Sequence, residues 1–106
     1  MSRPEIQNSV QTGPYTTNYL EQGSGFPLIF IHGSGPGVSG YANWRLVLPK
    51  LADLVHCYAP DMVGFGYSSK PTDVSYGMEL WSQQILDFMD DLGIAQADLV
   101  GNSFGG

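Results

Sequence analysis

The sequence predicts an α/β fold in which an N-terminal hairpin precedes a mostly parallel sheet with flanking helices. From residue 27 onward, apolar runs alternate with stretches of helical periodicity in the order strand, helix, strand, helix, strand. That order is typical of right-handed crossovers between parallel strands. Glycine-rich loops follow the first and the last of these strands, at 33–40 and 101–106, and parallel sheets bind ligands beyond such strand ends.

The N-terminal segment predicts two half-exposed strands. Residues 5–22 contain β-branched and aromatic residues with polar residues between them, and Gly13-Pro14 divides the stretch. This pattern favours a hairpin. Another turn is expected at residues 23–25. The continuous apolar run 27–31 is then expected to be a strand that is buried on both faces of a parallel sheet.

Two helices are predicted from apolar residues at helical spacing. The first covers residues 41–54 and contains Pro49, where we expect a kink or a restart. The second covers residues 76–92, with Ser75 as the expected N-cap and Gly93 as the expected C-cap.

Two more short strands complete the predicted sheet, at 55–59 and at 97–100. The single cysteine, Cys57, lies in the first of them and is expected to be a small buried hydrophobe. If the strands at 27–31 and 97–100 are neighbours, their glycine-rich loops start about 5 Å apart and can line one site. The sequence pattern alone leaves that adjacency open.

Charge and hydropathy restrict the partners that the protein can have. Ten acidic and four basic residues give a net charge of −6, which argues against nucleic acid and anionic membrane surfaces. The longest aliphatic run, at 28–31, is far too short to span a bilayer, and the N-terminus has no apolar signal core. We therefore expect a soluble, cytoplasmic protein. Because the chain ends at Gly105-Gly106, we also expect it to be the N-terminal part of a longer domain.

The last six residues contain the pattern G-x-S-x-G, with Ser103 at its centre. A strand that ends in this pattern is typical of a nucleophile elbow, which presents a serine hydroxyl on a sharp strand-to-helix turn. A Cβ at Gly101 or Gly105 would collide where the turn brings the backbone together, and glycine removes that obstacle. The alternative is a glycine-rich loop with an incidental serine, since so short a pattern often arises by chance.

The loop at residues 32–37, His-Gly-Ser-Gly-Pro-Gly, is suited to stabilise a developing negative charge. A serine nucleophile needs backbone N–H groups aimed at the oxyanion. We expect one from Phe104, directly after the serine, and one from Ser34 in this loop. His32 could be interpreted as catalytic or as a metal ligand, but a metal site needs several ligands and no second candidate lies nearby. A role in bracing the loop is therefore favoured, and no metal site is predicted.

A dinucleotide-binding module is the alternative from another class. Residues 35–40 match G-x-G-x-x-G after a strand, and Asp61 follows about twenty residues later, as such a site requires. However, Pro36 removes a backbone donor where a pyrophosphate would need one, and this interpretation leaves Ser103 unexplained. Asp61 is instead expected to be a turn residue that binds backbone N–H groups.

Three motifs follow one another along the chain: His32-Gly33, then Asp61-x-x-Gly64-x-Gly66-x-Ser68, then Gly101-x-Ser103-x-Gly105. In this order and at these spacings they resemble the α/β-hydrolase superfamily, over nearly the whole chain from residue 15. The resemblance implies that residues 1–106 are the N-terminal part of a single α/β-hydrolase core domain. The cap domain and the C-terminal part of that fold would then lie outside this chain.

A narrower resemblance rests on residues 34–37, on Asn43 and on residues 101–106. These are similar to the meta-cleavage product hydrolases, the C–C bond hydrolases of bacterial aromatic catabolism, and especially to those acting on monocyclic products such as 2-hydroxymuconic semialdehyde. Such enzymes hydrolyse 2-hydroxy-6-oxo-dienoates to a 2-hydroxydienoate and a carboxylic acid. They use a Ser-Asp-His triad and no cofactor.

Carried over by position, the resemblance implies a role for each site residue. Ser103 is the catalytic serine, and the N–H groups of Ser34 and Phe104 hold the oxyanion. The dienoate end of the anionic substrate is implied to contact Gly35, Asn43 and Asn102. Amides and backbone N–H groups can hydrogen-bond an oxo group or a carboxylate without adding charge.

The triad acid and histidine are expected after the elbow, in the order Ser, acid, His, and this chain ends before them. Serine without its base is a weak nucleophile, so residues 1–106 alone are expected to be inactive. An esterase or lactonase of the same fold remains an alternative, whereas a dehalogenase would want a carboxylate at position 103. The acyl-side preference and the oligomeric state stay open, with a homo-oligomer as one alternative.

Overall fold

A computed structural model describes residues 7–33 and 37–101. The first two strands, β1 (Asn8–Thr12) and β2 (Tyr15–Gly23), pair antiparallel. The turn between them contains Gly13, whose φ of 62° lies in the left-handed region that glycine adopts without strain. The predicted hairpin is confirmed.

Three further strands complete one sheet: β3 (Pro27–Ile31), β4 (His56–Pro60) and β5 (Asp98–Gly101). Their order is β1-β2-β4-β3-β5. β2 pairs antiparallel with β4, whereas β3 runs parallel to both β4 and β5. The adjacency that the sequence left open is therefore settled, because β3 and β5 are hydrogen-bonded neighbours that end together, with Ile31 opposite Gly101.

The helices are α1 (Gly40–Trp44), α2 (Leu48–Leu51) and α3 (Met78–Leu92). The expected restart at Pro49 is confirmed, since Pro49 lies in the first turn of α2. There its missing N–H costs nothing, because the first N–H groups of a helix have no intrahelical acceptor.

The two predicted caps of α3 differ in outcome. Gly93 lies at the C-terminal end with φ of 72° and donates its N–H to carbonyls of the last turn, as predicted. Ser75 is not the N-cap, since Gly77 occupies that position. The boundary was missed because the first turn begins with the exposed residues Met78 and Glu79, so no apolar periodicity marks where the helix starts.

The core forms two layers, one on each face of the sheet. Successive residues of a strand point to opposite faces. Ile29 and Ile31 accordingly pack with Phe88 of α3, while Phe30 between them packs with Leu48 of α2. The predicted burial of β3 on both faces is thus confirmed. Cys57 is fully buried, as predicted, and this burial raises the pKa of its thiol.

β5 lies at one edge of the sheet. Within the described ranges it pairs only with β3, and its Leu99 side chain is 54% exposed. This edge of the sheet therefore exposes an apolar side chain in the part of the chain that the structure describes. Over the same residues, no helix combines the length and apolar character that crossing a membrane would require.

Candidate active site

The carboxyl ends of β3 and β5 lie side by side at one end of the sheet, because Ile31 pairs with Gly101 in parallel register. The first glycine-rich loop starts there, at His32 and Gly33. Five predicted site residues lie outside the described ranges: Ser34, Gly35, Asn102, Ser103 and Phe104. The structure therefore describes the frame of the site, together with Asn43, His32 and Asp61.

His32 braces the loop, as predicted. Its ring is fully buried, and its Nε2 accepts the Met62 N–H at 2.9 Å. Since a main-chain N–H can only donate, the neutral ring carries its proton on Nδ1 and donates it to the Gly33 carbonyl oxygen, 2.6 Å away. Burial lowers the pKa of His32 although the Gly33 carbonyl and the Asp61 charge act in the opposite direction, so the neutral form is favoured.

Asn43 holds the other side of Gly33. It lies in α1, whose start is capped by the Ser39 hydroxyl, which accepts the Ala42 N–H at 3.0 Å. From this helix the Asn43 Oδ1 accepts the Gly33 N–H at 2.6 Å. The structure thus gives Asn43 a contact with the loop, and its predicted contact with a substrate stays a prediction.

Asp61 has the role expected of a turn aspartate. Its carboxylate is buried and accepts the N–H of Gly40 at 2.7 Å and of Tyr67 at 2.9 Å, together with the Asn18 side-chain amide at 2.9 Å. One carboxylate therefore ties α1, β2 and the loop after β4 together. A dinucleotide site would use this acid on a ribose hydroxyl, and a carboxylate enclosed among these donors is poorly placed for that.

Gly66 is required beside this carboxylate. A Cβ at Gly66 would lie 2.3 Å from Asp61 Oδ2, which no real contact tolerates. Its φ of 53° is also in the left-handed region. The spacing of Asp61 and Gly66 in the second motif thus has a local physical reason, since the turn folds back over the acid.

Sequence reasoning missed Gln84, which anchors the same loop from α3. Its amide nitrogen donates to the Asp61 carbonyl oxygen at 3.1 Å and to the Thr17 hydroxyl at 3.0 Å, and its Oε1 accepts the Val63 N–H at 2.9 Å. A signal was available: Gln84 lies three residues after Trp81 and directly before Ile85. A polar residue in that buried stripe needs internal partners.

A cleft of about 580 Å³ opens beside these loops. It is lined by residues 37–39 of the first loop and 41–42 of α1, and by the turn that carries Tyr67 and Lys70. Among the described residues, no group of three or more His, Cys, Asp or Glu side chains is arranged to hold a metal ion.

The fold and these motifs point to one family of proteins. The α/β hydrolase fold family matches residues 27–106, and the chain belongs to that family. The strand order, the parallel pairing of β3 with β5 and the G-x-S-x-G sequence that begins at the last residue of β5 agree with this assignment.

Within and around this family, the chain is similar to several individual proteins with named activities. The chain is 52% identical over 103 residues to a 2-hydroxymuconate semialdehyde hydrolase of Pseudomonas sp. strain CF600, covering 97% of this chain and 36% of the relative. It is 46% identical over 102 residues to a 2-hydroxy-6-oxo-2,4-heptadienoate hydrolase of Pseudomonas putida F1, covering 96% of this chain and 37% of the relative. The chain thus spans little more than a third of the length of these relatives.

Solved structures give the same grouping. A meta-cleavage product hydrolase from Pseudomonas fluorescens IP01, a serine-to-alanine mutant complexed with acetates, is similar with a TM-score of 0.91 and 47% identity. The match covers 94% of this chain and 37% of that one. An epoxide hydrolase is also similar, with a TM-score of 0.84 and 30% identity over 92% of this chain and 33% of its own.

Proposed function

We propose that the full-length protein is a serine-dependent hydrolase that cleaves a C–C bond in 2-hydroxy-6-oxo-dienoate ring-fission products of aromatic catabolism, such as 2-hydroxymuconic semialdehyde. The observation that carries the proposal is the 52% identity, over nearly the whole chain, to a 2-hydroxymuconate semialdehyde hydrolase. The parallel pairing of β3 and β5 supports it, because it sets the start of an oxyanion loop beside the strand that leads to Ser103.

The chemistry requires a carbon electrophile, an electron sink and a proton donor. Ketonisation of the 2-hydroxydienoate first places an sp3 carbon next to the bond to be broken. Ser103, or a water that it activates, then adds to the C6 carbonyl, and the N–H groups of Ser34 and Phe104 hold the resulting oxyanion. Collapse breaks the C5–C6 bond, and its electron pair moves through the C3–C4 double bond to the 2-oxo oxygen, which takes up the proton that was removed from Ser103 or water and so forms the 2-hydroxydienoate. The acyl group takes a hydroxyl from water, directly or by hydrolysis of the ester on Ser103, and leaves as a carboxylic acid.

The site residues divide between the two ends of the substrate. Ser103, Ser34 and Phe104 act at the carbonyl that is attacked, whereas Gly35, Asn43 and Asn102 hold the dienoate end. The partner is a small anionic molecule, and the protein acts without a cofactor in the cytoplasm. The order of triad residues in this fold places the acid and the histidine after the serine, hence beyond residue 103.

A direct assay compares two substrates on the full-length protein. We expect turnover of a coloured ring-fission dienone with a kcat/KM at least about 10²-fold above that for a nitrophenyl ester of similar size, since a site built for one polar pattern rejects another strongly. Ser103→Ala should reduce the dienone rate by about 10³-fold or more. An ester that is hydrolysed faster than the dienone would make the protein an esterase or lactonase and overturn the proposal.

A further inference from the structure

The amide groups on both sides of Gly33 are held by side chains. Asn43 Oδ1 accepts its N–H at 2.6 Å, and its carbonyl oxygen lies 2.6 Å from His32 Nδ1. Gly33 is also buried. A loop glycine otherwise has more conformational freedom than any other residue, so two short hydrogen bonds to one glycine are a strong local constraint.

The constraint on the carbonyl passes to the next residue through the peptide bond. A trans peptide group is planar, so the N–H that follows a carbonyl points in the opposite direction from it. A hydrogen bond that fixes a carbonyl oxygen therefore also restrains the peptide plane that this carbonyl shares with the N–H of the next residue. That N–H belongs to Ser34, the oxyanion donor of the proposed function.

We propose that His32 and Asn43 are positioning residues for the oxyanion donor, acting through Gly33 rather than on the substrate. This inference rests on the proposed function and deepens it. It also assigns to Asn43 a second task, besides the predicted contact with the dienoate.

The His32 ring is fixed in the orientation that this role requires. Its far nitrogen accepts the Met62 N–H at 2.9 Å, and the Phe65 ring lies edge-to-face at 5.1 Å. Rotation of the ring by 180° would replace both nitrogens by carbon and lose both hydrogen bonds. Asp61 is the charged group that acts on the ring, and its carboxylate is already bound by main-chain N–H groups of α1 and of the turn after β4.

Two substitutions at position 32 separate the roles of the two nitrogens. In His32→Asn, the amide nitrogen can take the place of Nδ1 and donate to the Gly33 carbonyl. In His32→Gln, the amide oxygen can take the place of Nε2 and accept the Met62 N–H, but the bond to Gly33 is lost. Each variant retains one of the two hydrogen bonds and leaves a small cavity, so the two are matched in their general structural cost.

We expect His32→Gln to lower the kcat of the full-length protein by about 30-fold or more, part of the 10²–10³-fold cost of losing one oxyanion donor. The KM should change by less than about threefold, because the donor acts mainly in the transition state. His32→Asn should keep kcat within about fivefold of the wild type. An equal loss in the two variants, or a larger loss in His32→Asn, would overturn the inference.

Two substitutions at Asn43 separate its contact with Gly33 from its predicted contact with the substrate. Asn43→Asp keeps an acceptor for the Gly33 N–H but adds a negative charge, so an anionic substrate should bind more weakly and the KM should rise. The kcat of Asn43→Asp should fall less than that of Asn43→Leu. Asn43→Leu removes the acceptor and should lower kcat by about tenfold or more. Equal kcat values in the two Asn43 variants would contradict a role through Gly33.

A spectroscopic measurement tests the contact without any substrate. In 15N-histidine-labelled full-length protein, the His32 signals, assigned by their loss in His32→Gln, should show a proton on Nδ1 and an accepting Nε2. A proton on Nε2 would contradict the proposed donation to Gly33.

Failure of the proposed function can be distinguished from failure of this inference. If the wild type hydrolyses only the ester, the proposed function fails, but the relative rates of the two His32 variants on that ester still test the positioning role.

Discussion

The loops after β3 and β4 contrast with the strand that leads to the serine. The loops are tied down within this chain: His32, Asn43, Asp61 and Gln84 give main-chain groups their hydrogen-bond partners. β5, in contrast, has a pairing partner on one side only within the described residues, and Leu99 is largely exposed. The loops after β3 and β4 are therefore held by buried side-chain hydrogen bonds, whereas β5 is held by one neighbouring strand within the described residues.

The contrast shows which parts of the site are held by contacts among the described residues. A buried side chain that satisfies several main-chain groups holds a loop in place through partners that lie close in space, even where they are distant in sequence, as for Asp61 and Gln84. An edge strand with an exposed apolar side chain needs a neighbour to cover it. The loop after β3 is thus held by its own surroundings, whereas β5 is supported by one neighbouring strand within the described residues.

The largest effect on stability is expected from the acid that ties the loops together. Asp61→Asn places an amide N–H₂ where a carboxylate oxygen accepts a main-chain N–H, so one buried donor loses its partner. We expect the free energy of unfolding of the full-length protein to fall by about 3 kcal/mol, in the range for breaking a buried charged contact, as measured by urea denaturation.

Asp98→Asn is the matched control in the other region. Asp98 is an exposed residue of β5, and the same chemical change there should alter stability by no more than about 0.5 kcal/mol. Similar losses for the two variants would remove the distinction between the braced loops and the edge strand.

A somewhat smaller effect is expected at Gly66. In Gly66→Ala, the new Cβ would collide with the Asp61 carboxylate and force a left-handed alanine, at a combined cost of about 2–3 kcal/mol. Gly93→Ala is the control, since Gly93 also has a positive φ but has no heavy atom within 4 Å of the added Cβ. It should cost only about 1 kcal/mol, and equal changes in melting temperature would refute the clash.

The braced region should also respond to pH through His32. Its folded pKa is below the ordinary value of 6.5, so the unfolded chain binds the proton more readily. The contribution of His32 to stability is complete above about pH 6.5 and declines as the pH falls toward the folded pKa. Between about pH 7.5 and 5.5, the wild type should therefore lose more stability than His32→Asn.

Denaturant unfolding at the two pH values measures this difference directly. His56→Gln is the comparison, because His56 is the other histidine of the sequence and is partly exposed on β4. Identical pH dependence in the wild type and in His32→Asn would show that protonation of His32 is not linked to folding.

The smallest effect is expected far from the site, at the side-chain contact between Glu21 and His56. Their side chains are 36% and 23% exposed and lie 2.6 Å apart, and the His56 ring also stacks on Tyr58. Glu21→Gln should change stability by less than about 1 kcal/mol, as solvent screens the pair. A loss as large as that of Asp61→Asn would mean that exposed charges stabilise this fold as much as the buried network does.

Much of the fold could be predicted from the sequence because its signals are local. The apolar run 27–31, the periodicity of α3 and the turn at Gly13-Pro14 each encode one element. The order of strands could not be read in the same way. The insertion of β4 between β2 and β3 depends on contacts between distant segments, which no single stretch specifies.

The site was predictable in part for the same reason. The bracing role of His32 and the turn role of Asp61 follow from residue type and position. The contact between Asn43 and Gly33 could not be predicted, because it depends on how α1 packs against the loop. Gln84 could have been flagged by its place in the buried stripe of α3, but its partners lie in segments that are distant in sequence.

The central claim, a reactive serine hydroxyl at the end of β5 next to the Gly33 loop, can be tested by covalent labelling. The full-length protein is treated with a fluorophosphonate, digested and analysed by mass spectrometry. A phosphonyl group on Ser103, absent in Ser103→Ala and formed more slowly in His32→Gln than in His32→Asn, is the predicted result. Labelling of a different residue, or an unlabelled Ser103 in a protein that still turns over its substrate, would contradict the claim.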